Sequence, residues 1–246
     1  MFQTFFYQPI FNLLIWLYNI IPGHDLGLAI IALTVIIKLA LLPLSKQSIK
    51  SQKALQELQP KIDEIKKKYA DKKEEQAKAM MELYKREKVN PFSSCLPLII
   101  QLPFLWAVFQ VFRDGLNGEA LDLVYSFISR PEALKVISFG FLNLSQPNMV
   151  LAVLAGLAQF WQAKMMITKR PEIKSEGSRD ENIMAIMNKQ MLYFMPILTV
   201  VICMQFSSGL ALYWLTTTIL TAFQQLYIFK RKEVKNDKVI EGEVIK

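Results

Sequence analysis

Histidine and cysteine are nearly absent: the 246 residues hold one histidine, His24, and two cysteines, Cys95 and Cys203. A single imidazole makes no metal site, so His24 reads as a loop residue at the outer mouth of the first apolar run. The cysteines stand in or beside apolar runs without CxxC or other metal-ligand spacing, and read as small buried apolar residues. There is no Walker A loop, no HExxH and no nucleophile elbow. Nothing in the chain points to an enzyme, and no cofactor or metal is implied. Aspartate and glutamate are missing from all five apolar runs, which speaks against a proton-coupled pump or cation transporter. No paired inverted repeat with broken helices marks a transporter, and no alternating ten-residue segments mark an outer-membrane barrel. Lysine and arginine are missing from residues 1–25, and no small-residue cleavage site follows, so a conventional signal peptide is not expected.

What is abundant is apolar. The chain is 52% hydrophobic, with runs at residues 26–44, 92–112, 149–167, 191–206 and 210–229. Each is near spanning length, which predicts an all-α polytopic membrane protein of five transmembrane helices. Charge placement orients it. Of the 29 Lys and Arg, thirteen lie in residues 45–90, five in 169–189 and six after Phe229, whereas residues 113–147 carry three against four acids. The positive-inside rule puts the three basic segments in the cytoplasm, with the N-terminus outside and the C-terminus inside. The net charge of +8 is first a topology signal; nucleic-acid contact, as with a ribosome, is a second use of it.

The expected division is an outer interfacial amphipathic helix (1–25), spans at 26–44, 92–113, 148–168, 191–206 and 209–229, a cytoplasmic helical hairpin (45–90), an outer loop (114–147), a cytoplasmic loop (169–190) and a basic cytoplasmic tail (230–246). In the first segment Phe2, Phe5, Phe6, Pro9, Leu13, Leu17, Ile20 and Ile21 share one helical face, with Gln8, Asn12 and Asn19 opposite. That pattern predicts a helix lying in the outer interface, with a sixth span as the alternative. In 45–90, Ile49, Leu55, Leu58, Ile62, Ile65 and Tyr69 repeat at helical spacing, as do Ala77, Met80, Met81 and Tyr84. Two antiparallel amphipathic helices broken at residues 70–73 follow, ended by Asn90–Pro91. The outer loop is expected to hold a short helix near 119–128 and an apolar stretch, 137–144, on the membrane surface. The 169–190 connection has a flexible polar composition, and the tail is expected to be disordered. Residues 207–209 leave almost no loop between the last two spans, which must pack as a tight antiparallel hairpin.

Two lysines interrupt the apolar runs, Lys38 in 26–44 and Lys164 near the end of 149–167. Lys38 stands alone in residues 26–44. A mid-membrane charge costs about 2.5–3.5 kcal/mol on insertion scales and usually faces a wet cavity or a protein interior. Lys38 is also about 9 Å from the end of its run at 1.5 Å rise per residue, so its stem could instead snorkel to the interface. Other polar residues bear on the choice. Thr34 precedes Lys38 by one helical turn; Gln101 and Gln110 mark the second span, and Gln159 and Gln162 the third. Trp214, Thr217, Thr218, Thr221, Gln224 and Gln225 form a stripe along the last. Singly, each is accounted for by interhelical hydrogen bonding. Four polar faces with one buried cation together favour a hydrated cavity.

Several stretches carry a family resemblance. Residues 90–112, NPFSSCLPLIIQLPFLWAVFQVF, resemble the second core span of the YidC insertases. Met195–Pro196, the run SGLALYW at 208–214, and Gln224–Gln225 are similar to their last two spans, and FLNLSQP at 141–147 is similar to their outer-loop signature. The likeness runs in order from about residue 23 to 230, in the compact bacterial form without a large periplasmic domain, within the wider YidC/Oxa/Alb family. Three departures stand out: Lys38 replaces the usual arginine, Ser207-Ser208-Gly209-Leu210 replaces Pro-x-Gly-Leu, and Thr217–Thr218 replaces a Ser-Asn pair.

The resemblance implies a membrane protein insertase and chaperone of the bacterial plasma (inner) membrane. It would pass client segments from the cytoplasm into the bilayer without ATP, through a positively charged hydrophilic groove open to the cytoplasm and the lipid. Carried over by position, Lys38 becomes the groove cation, with Thr34, Gln101, Gln159, Tyr213, Trp214, Thr217 and Thr218 around the groove. The implied partners are nascent membrane proteins, the ribosome, the signal recognition particle receptor, the secretion translocon and the lipid bilayer, with no small-molecule substrate. Two alternatives remain at this point. A channel or small-solute permease would need a polar path across the whole bilayer, which residues 26–33 lack. The other is a structural partner of the secretion translocon.

Overall fold

Pro9, Pro43 and Pro196 each stand in the first turn of a helix, where the missing N–H leaves no bond unmade. The computed structural model describes residues 2–90, 96–115, 119–166 and 190–243. The Pro91 stop, Cys95, residues 169–189 of the expected loop, and the side chains beyond Phe229 lie outside the described residues. A π-helical turn, Gln3–Tyr7, leads into α1 (Gln8–Ile20). Gly23 at φ +81° and His24 at φ +52° reverse the chain into α2 (Leu26–Ala40). Then follow α3 (Leu42–Lys68), α4 (Lys73–Arg86), α5 (Leu96–Gly115), a 3₁₀ stretch Glu119–Leu123, and the antiparallel strands β1 (Ile137–Ser138) and β2 (Leu142–Asn143). The chain continues through α6 (Met149–Met166), a π-helical turn Gln190–Phe194, α7 (Met195–Gln205) and α8 (Ser208–Glu243).

The run expected as one helix over 26–44 is bent in the structure. Leu41 leaves helical geometry at φ −86°, ψ 1°, and Pro43, two residues on, cannot donate back across the break. The axes of α2 and α3 bend there by 69°. No described helix is by itself long and apolar enough to cross a membrane, although α2 and α3 reach that length and composition as a bent pair. The 15 residues of α2 rise about 22 Å, short of a hydrocarbon core of about 30 Å. In α8 the threonine and glutamine stripe lowers the hydropathy that its length alone would provide.

The first helix is also placed differently from its sequence pattern. Its buried face is Tyr7, Ile10, Phe11, Leu14, Ile15, Leu17 and Tyr18, packed on α2 and α5, while Phe5 and Ile20 are exposed. Asn12, expected to face water, is 2% exposed. The reason is a polar seam with residues 123–135. Asn12 donates to Leu123 O at 3.1 Å and accepts the Tyr125 N–H at 2.6 Å. Asn19 donates to Ser129 O at 2.6 Å, and the Tyr18 hydroxyl accepts the Lys135 N–H at 3.0 Å. The amides therefore find loop backbone in place of solvent, which is what burial requires of them. The Tyr125 N–H, taken by Asn12, is lost to the expected 119–128 helix, which stops as 3₁₀ at Leu123.

Strands β1 and β2 turn through Phe139 and Gly140, both at positive φ, as a two-residue primed turn requires. The Phe141 N–H closes the turn on Ser138 O at 3.2 Å. Asp25 caps α2 by accepting the Leu28 N–H at 3.0 Å, and its other oxygen accepts the Phe139 N–H at 2.7 Å. The Gly27 N–H donates to Ser138 Oγ at 2.7 Å. The same loop satisfies the start of α8: the Ser208 N–H donates to Gln146 O at 3.0 Å, the Gly209 N–H to Leu144 O at 3.1 Å, and the Ser208 hydroxyl to the carbonyls of Asn143 and Gln146. One hairpin thus ties together the first turns of α2 and α8, whose N–H groups have no partner within the helix.

Helices α6, α7 and α8 form a tightly packed group. Gly156 admits α7 so closely that an added β-carbon would lie 2.4 Å from Val200 Cγ2, the small-residue contact typical of membrane helices. Away from the bundle, α3 and α4 pair through Leu58, Ile62 and Leu83, with Ile65, Met80 and Tyr84 around them. The last helix runs to Glu243, through the segment expected to be disordered. Residues 230–241 hold no glycine or proline, so helix already nucleated in the bundle propagates at little cost per residue.

Candidate functional site

Consecutive side chains on α8 point about 100° apart, so its polar stripe divides into two lines. Tyr213, Thr217 and Thr221 lie at steps of four on one; Trp214 and Thr218 lie on the other. The first line faces α5 at one level and α2 at another. The second meets α6 through Trp214.

At the α2 level, the Lys38 ammonium donates to Thr221 Oγ1 at 2.8 Å, and the Thr221 hydroxyl donates to Thr217 O at 2.7 Å. Lys38 is 9% exposed. Among the described residues no carboxylate lies within ion-pair distance of it. An ammonium carries three donors, and a hydroxyl compensates its desolvation far less than a carboxylate does. Thr34, one turn away, is buried, and its hydroxyl donates to Ile30 O at 2.6 Å. That bond stays within α2, so Thr34 contributes a small side chain to the polar line and no hydroxyl hydrogen toward Lys38.

About 12 Å along α8 from Thr221, at 1.5 Å per residue, the Gln101 amide of α5 donates to the Tyr213 hydroxyl at 2.6 Å. Tyr213 is fully buried. On the other line, Gln159 of α6 accepts from two helices at once: the Trp214 indole N–H at 3.0 Å and the Thr199 hydroxyl of α7 at 2.8 Å. Thr218 is buried between the two levels. The buried side-chain oxygens of Gln110, Gln224 and Gln225 have no hydrogen-bond partner among the described residues.

The eight expected residues thus lie on or against α8 or on the buried face of α2; Gln101 with Tyr213 and Gln159 with Trp214 are joined as pairs, Lys38 bonds to Thr221, and they do not form one cluster. Two contributors escaped the sequence reading. Thr199 lies in a run with no polar periodicity of its own. Lys53 of α3 is 8% exposed and donates to Phe229 O at 3.0 Å. The available signal was its spacing: four residues after Ile49, it shares that residue's buried face. Nothing in this arrangement makes a nucleophile, an acid–base pair or a metal cluster among the described residues. Its chemistry is that of hydrogen-bond donors and acceptors, with two buried positive charges, Lys38 and Lys53, between the helices.

Residues 16–236 match the family described as 60Kd inner membrane protein. A membrane protein insertase YidC of Fusobacterium nucleatum is 34% identical over 231 residues, covering 93% of this chain and 99% of the relative. That of Oceanobacillus iheyensis is 34% identical over 235 residues, covering 93% and 83%. That of Haemophilus ducreyi is 35% identical over 234 residues, but the match covers only 38% of the longer relative. A crystal structure of an active YidC insertase with its first transmembrane domain resolved aligns with a TM-score of 0.57 at 27% identity, over 90% of this chain and 45% of the other.

Proposed function

The chain belongs to the 60Kd inner membrane protein family, the YidC insertases, and on that premise we propose that it inserts client transmembrane segments into the bacterial plasma membrane from the cytoplasmic side. Its five spans are 26–44, 92–113, 148–168, 191–206 and 209–229, with the hairpin of α3 and α4 and the basic tail in the cytoplasm and residues 114–147 outside. The lysine asymmetry supports this orientation. Tilting and a locally thinner bilayer accommodate helices shorter than the hydrocarbon core.

Lys38 carries the proposal: a buried cation whose partner is a hydroxyl. It keeps a positive charge available to an incoming acidic segment. Together with Gln101, Gln159, Tyr213, Trp214, Thr217 and Thr218, it lines a hydrophilic groove open to the cytoplasm and the lipid. The acceptors of Gln110, Gln224 and Gln225 suit water or client backbone entering there. The apolar, buried face of α2 from Leu26 to Leu33 supports closure on the outer side and disfavours a channel.

No ATP is needed. About twenty apolar residues at about −0.3 to −0.6 kcal/mol each release on the order of −6 to −12 kcal/mol. One acidic residue crossing the bilayer opposes this by about 2.5–3.5 kcal/mol. A wet, positive groove lowers that barrier and leaves the end points unchanged, and no covalent bond is made or broken. The ribosome, the signal recognition particle receptor and the secretion translocon are the proposed delivery partners.

The test is reconstitution into liposomes free of other proteins, with a single-span client bearing an acidic N-terminal tail. Protease protection of the tail above that in empty liposomes is expected. Equal protection in both would remove the insertase role for this chain and leave the structural-partner role.

A further inference from the structure

Two lysines on either side of the Leu41 break reach the same helix. Lys38 of α2 donates to Thr221, and Lys53 of α3 donates to the Phe229 carbonyl at 3.0 Å, with its ammonium 5.0 Å from the Phe229 ring centroid. The two anchor points are eight residues apart on α8, about 12 Å along its axis. Between them the chain bends by 69°. The α2 arm is held in the bundle by its buried Leu26, Ala29, Ile30, Leu33 and Ile37, so the angle is set once the α3 arm is fixed to the same rigid helix.

The buried residues of α3 divide to match. Ser48, Ile49 and Lys53 are buried near the hinge, where α3 packs against α8, and Leu58 and Ile62 are buried farther out against α4. A lysine 8% exposed needs compensation for its lost hydration. A carbonyl oxygen with a spare lone pair and an aromatic face supply it together.

We propose that Lys53 is a positioning residue: it straps the base of the α3–α4 hairpin to α8 at Phe229 and fixes the bend at Leu41, holding the hairpin beside the cytoplasmic mouth of the Lys38 site. The functional consequence rests on the insertase role proposed above; the strap itself does not.

The test is a pulsed electron–electron distance measurement on the full chain in lipid nanodiscs. Spin labels are placed at Asp71→Cys, in the exposed hairpin turn, and Lys164→Cys, exposed on α6, in a Cys95→Ala, Cys203→Ala background. The unaltered strap should give one narrow distance peak. Lys53→Met, which keeps the stem and loses the donors, should broaden it or split it. Lys53→Arg should restore the narrow peak, and Lys38→Met should leave it narrow, since the strap lies on the far side of the hinge. Client insertion should fall several-fold in Lys53→Met and recover in Lys53→Arg. A narrow, unshifted peak in Lys53→Met overturns the strap, as does equal broadening in Lys38→Met, which would report general loosening. Should Lys53→Met aggregate, Phe229→Leu, which removes the ring and keeps the carbonyl, is expected to broaden the peak partially, and an unchanged peak there with an unchanged Lys53→Gln peak overturns the strap equally. A broadened peak with full insertion activity overturns only the link to insertion. Absence of insertion by the unmodified chain overturns the insertase role and leaves the distance result standing.

Discussion

Phe139 rests directly on Gly27: a β-carbon built at Gly27 would lie 2.7 Å from the Phe139 ring and 3.0 Å from Ser138 Cβ. The outer hairpin can press onto the first turn of α2 only because nothing projects there. The turn that delivers the ring puts Phe139 itself at positive φ, an uncommon conformation for a bulky residue. It is held by the bond from the Phe139 N–H to Asp25. The first turns of α2 and α8 are thereby closed by the same short loop.

Asp25 should make that closure sensitive to acid. Burial raises its pKa, but the N–H groups of Phe139 and Leu28, the Ser138 hydroxyl and the Gly27 N–H stabilise the ionised form and bring the net value below the ordinary range. A depressed carboxylate stabilises the folded form fully above its unfolded pKa, about 4, and loses that contribution as pH falls through the folded value. Amide exchange in 137–144, corrected for its intrinsic pH dependence, should therefore stay protected at neutral pH and rise at strongly acidic pH. Asp25→Ala should show the unprotected level throughout. Unchanged protection in Asp25→Ala would sink the clamp.

Topology is tested by cysteine accessibility. A cysteine introduced in 114–147 should react with an impermeant reagent from outside, and one in 45–90 only after the cytoplasmic face is opened. The lysine asymmetry is the reason, and the reverse labelling pattern would refute the whole orientation.

Lys38→Ala should slow insertion of clients with acidic translocated tails by on the order of tenfold, equivalent to about 1.4 kcal/mol of barrier, and affect neutral-tailed clients less. Lys38→Arg should retain activity, since charge is kept at the position where the family usually has arginine. Equal loss for both client types would assign Lys38 to hydration or packing of the site.

Gln159→Leu deprives both the Trp214 indole and the Thr199 hydroxyl of their acceptor. Interhelical hydrogen bonds in membranes average about 0.6 kcal/mol and reach about 1.7, so a loss of roughly 1–2 kcal/mol is expected in a reversible unfolding titration in bicelles. Trp214 fluorescence should shift in the same variant. No change in either measurement would show that the α6–α7–α8 junction does not depend on this bridge.

The hairpin and the tail should separate functionally. Residues 45–90 and the tail from Lys230 carry nineteen basic residues between them. The hairpin also has a packed seam at Leu58, Ile62 and Leu83. Shortening it should abolish insertion, whereas removing the tail should mainly weaken ribosome or anionic-lipid binding in a salt-dependent way. Full activity from a hairpin of unrelated sequence and equal charge would reduce its role to enforcing topology.

Local chemistry determined a great deal by itself. Apolar run lengths and lysine placement gave the helical membrane class, because span length and the cost of moving charge depend on composition and not on partners. The lone Lys38 and the α8 stripe were legible because a charge among apolar residues and a period near 3.6 need no neighbour to be seen. The family likeness rested on ordered short motifs in the same way. Tertiary structure decided which face of each helix found a partner. The pattern of its own helix alone puts Asn12 toward solvent; Leu123 and Tyr125, more than a hundred residues away, supply its bonds. Thr199 and Lys53 were hidden because each becomes polar-paired only through another helix. The break at Leu41 was masked by continuous apolarity, since hydropathy records what a residue prefers and not where its backbone turns.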